Sequence, residues 1–195
     1  MKIIDFRFIT RNDLFDKKYV AWSRIYEYPY VLNMLTQLGA NENSTIHNTS
    51  WGWEGCHVTF KNDLDDIYTN TLHSDIKKSS LTNTTIYDIT TKPEDNLVEQ
   101  FDFVLNISTV EEVRYSHVTI IQNLLEQVKV GGYLIITFDY NDKNTTGVGS
   151  IRLKEVEQKF DIKLEDNTNK ISGVNSENIE VRNKLLNCGV LIIQK

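Results

Sequence analysis

The chain is 195 residues long, 40% of them hydrophobic, and it carries a formal net charge of −6. This length is enough to bury one hydrophobic core, whereas two full domains would be cramped. Lys and Arg never run beyond two in a row, so the sequence shows no basic stretch of the kind that binds a phosphate backbone. We therefore expect a single domain, residues 1–195, that binds a small or neutral substrate rather than nucleic acid.

The sequence also lacks the marks of secretion, membrane insertion and metal binding. Its two cysteines, Cys56 and Cys188, lie far apart and have no partners at metal-ligand spacing, which argues against a structural disulfide or a zinc site. Charged residues within the first twelve exclude a signal peptide. No apolar run approaches the ~20 residues of a membrane-spanning helix. These features predict a cytoplasmic protein with no metal and no membrane span.

Apolar periodicity predicts strands and helices that alternate along the chain. Residues 1–39 combine a strand-like run near Ile3 with an amphipathic helix, which we expect to break at Pro29 and end at Gly39. Strands are predicted at 45–48, 71–74, 85–87, 101–107, 133–138, 160–164 and 189–193. Helices are predicted at 55–64, 94–100, 111–128, 151–159 and 177–187.

This alternation is typical of an α/β fold in which helices cover both faces of a mostly parallel sheet. The last two strands lack the regular spacing of parallel strands, so we expect them to form a terminal antiparallel pair. Within the domain, residues 1–39 are predicted to be a helical N-terminal lid or substrate segment. Residues 45–140 form the core, and residues 141–195 contribute the C-terminal strands and an insertion.

Informative residues follow the predicted core strands, because an open parallel sheet binds ligands at the carboxyl ends of its strands. A loop containing Gly52 follows the first core strand and lets backbone approach a ligand closely. Asp75 follows the second, where a carboxylate can accept hydrogen bonds from ribose hydroxyls. After the third, Asp88 suits the exocyclic amine of an adenine and Ile89 suits its ring. A strand-terminal Asp is more often a turn residue, so the argument depends on these positions occurring in order.

Residues 45–140 resemble class I S-adenosylmethionine (SAM)-dependent methyltransferases. Leu72-His73-Ser74-Asp75-Ile76 resembles the ribose-binding acidic motif of that family, and Thr85-Ile86-Tyr87-Asp88-Ile89 resembles its adenine motif. Phe101-Asp102-Phe103-Val104 resembles its Phe-Asp-x-Val strand, and Lys129-Val130-Gly131-Gly132 resembles its Lys-Pro-Gly-Gly turn. The resemblance implies a three-layer Rossmann-like sandwich with seven strands, SAM as the cofactor, and a small-molecule or glycan acceptor.

Candidate site residues follow from the strand ends and the resemblance together. Arg24 and Tyr28, on the predicted N-terminal helix, are candidates for binding the methionine carboxylate or a substrate acid. The candidate proton acceptors are Asp139, directly after a strand, with Glu112 and His117. The candidate cofactor-binding residues are Asn48, Ser50, Trp51, Gly52, Asp75, Asp88, Ile89, Asn106 and Ile107.

The first loop departs from the family pattern acid-x-Gly-x-Gly-x-Gly. Asn48 stands in place of the acid, Ser50 in place of the first glycine and Glu54 in place of the third. Trp51 and Trp53 are large enough either to line a cofactor site or to fill it. Glu112 also replaces the histidine of a Glu-His pair found in many members, although methyl transfer depends mainly on positioning.

Three interpretations therefore remain open. The first is an active SAM-dependent methyltransferase. The second is a non-catalytic methyltransferase-like binding or assembly protein that has lost SAM use. The third is an enzyme that uses a nucleotide or nucleotide-sugar on the same sheet, although the absence of Gly-x-Gly-x-x-Gly argues against a dinucleotide. The sequence decides neither the methyl acceptor nor whether the chain forms homo-oligomers.

Overall fold

A seven-stranded sheet with helices packed against it forms the body of the protein. The computed structural model describes residues 1–10, 12–13, 16–19, 23–52, 55–141, 151–165 and 186–195. The strands are β1 (Lys2–Phe8), β2 (Thr45–Thr49), β3 (Asn70–Asp75), β4 (Thr84–Ile86), β5 (Phe101–Ile107), β6 (Val128–Asn141) and β7 (Leu186–Gln194). The helices in these ranges are α1 (Arg24–Gln37), α2 (Cys56–Ile67), a 3₁₀ helix (Val110–Glu112), α3 (His117–Gln127) and α4 (Leu153–Phe160).

The strands lie in the order β1-β7-β6-β5-β2-β3-β4. Strands β2 to β6 pair in parallel, and β7 is antiparallel to both β6 and β1. Side chains alternate between the two faces, since Phe103 and Leu105 join one apolar cluster and Val104 joins the other. Helices α1 and α2 contribute to the first cluster, and α3 and α4 to the second. The sheet is therefore mostly parallel and lies between two layers of helix, as predicted.

The seventh strand is not the predicted one. Residues 160–164 form no strand, because Phe160 still belongs to α4 and the left-handed Asp161 (φ 52°) ends that helix. Between this helix and residue 165, where the described range ends, the one bridge joins Arg7 to Glu165. The edge position is taken by β1, which pairs with β7 from Lys2 opposite Gln194 onward. The N-terminal segment is thus part strand, and its described helix is confined to α1.

Helix α1 runs through Pro29, where the sequence predicts a break. A proline cannot donate to the carbonyl four residues earlier, here that of Ile25. The backbone N–H of Asp16 donates to this carbonyl oxygen instead, at 2.8 Å, so the helix continues without a buried unsatisfied group. The helix ends at Gln37, and the predicted terminator Gly39 (φ 87°) follows the C-cap Leu38, with the N–H of Ala40 donating to the carbonyl of Leu35 at 2.9 Å.

Two further predicted helices differ from the structure. Residues 94–100 form turns, with the N–H groups of Glu99 and Gln100 each donating to the end of α3 at 3.0 Å. The helix predicted over 111–128 begins at His117, where the Ser116 hydroxyl caps it by accepting the N–H of Thr119. The predicted helix at 177–187 lies largely outside the described residues.

No helix in the described ranges is both long and apolar enough to span a membrane.

One buried carboxylate joins α1 to the sheet. Glu27 has no exposed surface, and within α1 it accepts hydrogen bonds from Ser23 (2.7 Å) and Arg24 (2.5 Å). Across the interface it accepts from Ser108 (2.6 Å), after β5, and from Thr137 (2.5 Å) on β6. Burial alone would raise the pKa of Glu27, but Arg24 and the three hydroxyls hold that pKa below its ordinary value. The carboxylate is therefore charged and fully hydrogen-bonded.

Replacing a core side chain of β1 tests its place in the sheet. Phe8 is 2% exposed, and its ring centre lies 5.9 Å from that of Tyr140. We expect Phe8→Ala to lower the free energy of unfolding by about 3–5 kcal/mol, as for other buried aromatics, measured by urea denaturation. Leu81→Ala is the control, because Leu81 is 42% exposed and should change stability by no more than about 0.5 kcal/mol. Equal effects would contradict the docking of β1.

Removing the charge of Glu27 tests the link between α1 and the sheet. Glu27→Gln leaves Arg24 buried without its carboxylate, so we expect a loss of about 3 kcal/mol at pH 7. Because the pKa of Glu27 is lower in the folded chain than its ordinary value of 4.5, the charge stabilises the fold above that pH. The stabilisation is lost as the pH falls through the folded value.

The difference in stability between wild type and Glu27→Gln should therefore shrink below about pH 4.5 in urea titrations. The exposed Glu112 supplies the control variant Glu112→Gln, which leaves no buried charge without its partner and should change stability at pH 7 by no more than about 0.5 kcal/mol. A difference that grows in acid would contradict the assignment.

Candidate functional site

A cavity of about 420 Å³ lies at the carboxyl ends of the neighbouring strands β5, β2, β3 and β4. Strand β2 stands where the sheet order reverses, with β3 on one side and β5 on the other. Open α/β sheets bind ligands at such a point. The lining residues are Arg24, Tyr28, Asn48, Ser50, Trp51, Gly52, His57, Asp75, Ile76, Asp88, Ile89, Thr90, Ile107, Thr109 and Val113.

The loop after β2 turns back across the strand ends through left-handed backbone. Ser50 (φ 53°) and Gly52 (φ 68°) both adopt this conformation, which glycine tolerates best. A Cβ at Gly52 would lie 2.8 Å from the ring of His57, so that position also lacks room for a side chain. The glycine retained from the family pattern is therefore the one that the local packing requires.

Trp51 forms part of the cavity wall. It is 4% exposed, and its backbone N–H donates to the carbonyl of Ser74 at 3.3 Å. Its ring packs edge-on against His73, with ring centres 6.2 Å apart. The cavity stays open beside it. Trp53 and Glu54, the other departures in this loop, lie outside the described residues.

Asp75, the last residue of β3, and Asp88, after β4, stand in tight turns at the cavity. Asp75 Oδ1 accepts the N–H of Lys77 at 3.1 Å, and Asp88 Oδ1 accepts both the N–H and the hydroxyl of Thr90. The carbonyl of Ile89 accepts from the Asn123 side chain at 3.1 Å, which fixes this turn to α3. Each acid thus has a turn role, as is common for Asp at strand ends, and also lines the cavity.

Asn106, a predicted cofactor-binding residue, does not line the cavity. Its side chain is buried beneath the strand ends, where Nδ2 donates to Thr49 at 3.0 Å. Its Oδ1 accepts the N–H of Val110 at 3.2 Å. Asn106 therefore supports the site by joining β5 to β2 and to the 3₁₀ helix.

The three predicted proton acceptors also lie away from the lining. Asp139 is inside β6, opposite Cys188, and its N–H donates to Glu111 at 2.7 Å. The strand is longer than predicted, so Asp139 does not follow its end. Glu112 is exposed on the 3₁₀ helix. His117 is 1% exposed, and its Nδ1 accepts the backbone N–H of Arg152 at 3.0 Å.

The helical side of the cavity presents a group that the sequence analysis did not select, His57. It lies in the first turn of α2, directly after the glycine loop, and the Tyr28 hydroxyl is hydrogen-bonded to its Nδ1. Tyr28 itself stacks on Phe60, with ring centres 4.0 Å apart. Burial raises the pKa of Tyr28, so this residue is a neutral phenol. The position of His57 at the start of a helix beside the loop was the signal available in the sequence.

Comparison with known proteins finds no matching family model and no matching curated protein. Solved structures match at low identity. The MccD protein is 13% identical with a TM-score of 0.55, over 84% of this chain and 95% of that one. The trans-methyltransferase CalH, in complex with SAH, is 12% identical with a TM-score of 0.54, over 85% and 54%. The [4+2]-cyclase SpnF is 9% identical with a TM-score of 0.59, over 98% and 88%.

At such identities the likeness concerns the fold and leaves the chemistry to be argued from the site. The match extends over 84–98% of this chain in the three structures. The protein has the Rossmann-like fold of class I SAM-dependent methyltransferases.

Proposed function

We propose that the protein is a SAM-dependent methyltransferase that acts on a small-molecule or glycan acceptor. The observation that carries the proposal is the lining of one cavity by Asn48, Asp75, Asp88 and Ile89, the residues that the sequence assigns to SAM. The cavity volume of about 420 Å³ lies in the usual range for small-molecule sites. Trp51 leaves this space open, so the residues present fit the cofactor.

The lining residues divide the cavity into parts of different chemistry. Ile89 offers an apolar surface for the adenine ring beside Asp88, and Asp75 offers a carboxylate to the ribose hydroxyls. On the α1 side, Arg24 is the cationic group suited to the methionine carboxylate. Because Glu27 holds Arg24 at 2.5 Å, the guanidinium is oriented before any ligand binds, which lowers the cost of ordering it.

SAM supplies, when bound, a methyl group activated by a sulfonium centre. The protein then has to align the acceptor and remove a proton where the acceptor is a hydroxyl or an amine. Among the described lining residues, His57 carries the one imidazole. With Nδ1–H donating to the Tyr28 oxygen, Nε2 is the nitrogen left to accept the proton. We assign this step to His57, oriented by Tyr28, in place of Asp139, Glu112 and His117.

Direct titration with S-adenosylhomocysteine (SAH) tests cofactor use. We expect calorimetry to show binding to the wild-type protein and binding about tenfold weaker or worse for Asp75→Ala, because a charge-assisted hydrogen bond is worth about 1.5–3 kcal/mol. Asp95→Ala is the control, since Asp95 is exposed and does not line the cavity. No heat and no thermal stabilisation with millimolar SAH would reject the proposal.

Substitution of His57 tests the proton acceptor. Once an acceptor has been found by screening for release of SAH, we expect His57→Asn to lower kcat by about 10²–10⁴-fold, the usual contribution of a general base. Affinity for SAH should change far less. Glu112→Gln should leave kcat at the wild-type level, since Glu112 lies outside the lining. Loss of activity in Glu112→Gln but not in His57→Asn would reverse the assignment.

A second candidate is a non-catalytic methyltransferase-like binding or assembly protein that has lost SAM use. The position of all three predicted proton acceptors outside the cavity favours it. Mass spectrometry of the freshly purified protein separates the two candidates. Co-purified SAM or SAH supports the methyltransferase, whereas a protein that carries neither and does not bind added SAH supports the alternative.

A further inference from the structure

A row of buried hydrogen bonds reaches the cavity through the sheet. It begins at Asp65 on α2, whose Oδ1 lies 3.0 Å from Nε2 of His73 on β3. His73 Nδ1 lies 3.2 Å from Nδ2 of Asn48, its register partner on β2. His73 has no exposed surface and Asn48 is 2% exposed. Asn48 is the member of this row that lines the cavity.

The acid at the start of the row decides where the proton of His73 lies. Asp65 also accepts hydrogen bonds from Lys61 (2.5 Å) and from the hydroxyl of Thr71. Burial opposes its charge, yet Lys61, Thr71 and His73 hold the pKa of Asp65 below its ordinary value. An ionised carboxylate only accepts hydrogen bonds, so Nε2 of His73 must carry a proton.

The second nitrogen of His73 then has to be an acceptor. Burial lowers the pKa of His73, although Asp65 opposes that effect, so the ring is neutral and carries one proton. With that proton on Nε2, Nδ1 presents a lone pair to Asn48. Only the NH₂ group of the Asn48 amide can pair with a lone pair. The protonation states of Asp65 and His73 therefore fix the orientation of this amide. Its NH₂ group faces His73, and its Oδ1 faces the cavity.

We propose that Asp65 and His73 are positioning residues that hold the Asn48 amide with its oxygen toward the cavity. Asn48 stands where the methyltransferase pattern has an acid. In this orientation it presents an acceptor oxygen, as a carboxylate would, without a net charge. The ligand group that it takes is therefore a donor, a hydroxyl or an ammonium. The identity of the ligand in this inference rests on the proposed function. The orientation of the Asn48 amide is independent of the proposed function.

A double-mutant cycle with SAH as the probe tests the inference, because a carboxylate has two equivalent oxygens and needs no orienting partner. We expect Asn48→Asp still to bind SAH, with His73 taking up a second proton at Nδ1 so that it can pair with the new carboxylate. His73→Phe should weaken SAH binding about tenfold in the wild-type background, the value of roughly one hydrogen bond. In the Asn48→Asp background the same substitution should weaken binding less than about twofold, since no amide has to be oriented.

The substitution is chosen to preserve the fold. Phe keeps an aromatic ring against Trp51, and Asp65 retains Lys61 and Thr71 as donors. Urea denaturation of each variant confirms that the compared proteins are folded. A purely structural role of His73 would weaken SAH binding by the same factor in both backgrounds, and that result would overturn the proposal.

A second readout requires no ligand. Long-range ¹⁵N–¹H correlation spectra of the wild-type protein report which nitrogen of His73 carries the proton at neutral pH. The Nε2–H tautomer is expected, and an Nδ1–H tautomer or an imidazolium would overturn the proposal. If the wild-type protein fails to bind SAH, the proposed function is rejected, while the tautomer still decides whether His73 orients Asn48.

Discussion

The arrangement of the cavity depends on one buried ion, the carboxylate of Glu27. An isolated charge inside a protein is costly unless hydrogen bonds replace its hydration. Here the replacement comes from both sides of an interface, from Ser23 and Arg24 on α1 and from Ser108 and Thr137 at the sheet. Because all of these donors are required at once, α1 has one favourable position on the sheet. That position brings Arg24 and Tyr28 to the cavity wall.

Buried polar side chains beneath the strand ends also form hydrogen bonds that join neighbouring elements. Asn106 ties β5 to β2 and to the 3₁₀ helix, and His47 spans from Gln127 on α3 to Ser74 on β3. These side chains are buried and hydrogen-bonded, so they specify the register of neighbouring elements in a way that apolar packing alone does not. These groups form a layer of mutually oriented polar side chains beneath the strand ends. Such a layer keeps the strand ends in place before a ligand arrives, which favours binding.

Much of the sheet and most of the cavity lining could be predicted from the sequence, since ten of the fifteen lining residues are predicted site residues. Residues that follow parallel strands necessarily meet at one edge, so the positions of Asn48, Asp75, Asp88 and Ile107 along the chain were enough to place them together. Arg24 and Tyr28 also line the cavity, where they were expected from the resemblance. Periodicity identifies strands and their order along the chain because it reports burial directly.

The rest of the fold and of the site depends on contacts between residues far apart in the sequence, which local sequence patterns do not contain. The partner of β1 is β7, far along the chain, and an alternating run of apolar residues does not say which edge it joins. Asp139 was misplaced because the true end of β6 depends on its pairing with β7. His117 and Glu112 were misplaced because the helix begins only at His117, behind its Ser116 cap. The sequence does not single out His57, because where a first-turn side chain points depends on how its helix packs, which local patterns do not contain.

The place of β1 in the sheet has a consequence for biosynthesis. Its one strand partner among the described residues is β7, so β1 has no strand to pair with until the ribosome has also synthesised β2 to β7. During that interval Phe6 and Phe8 remain uncovered while β2 to β6 can already assemble. The nascent chain thus passes through a state with an apolar, strand-forming segment in solution. An exposed segment of this kind can bind chaperones or aggregate. Pairing with β7, which lies between β6 and β1, removes this exposure.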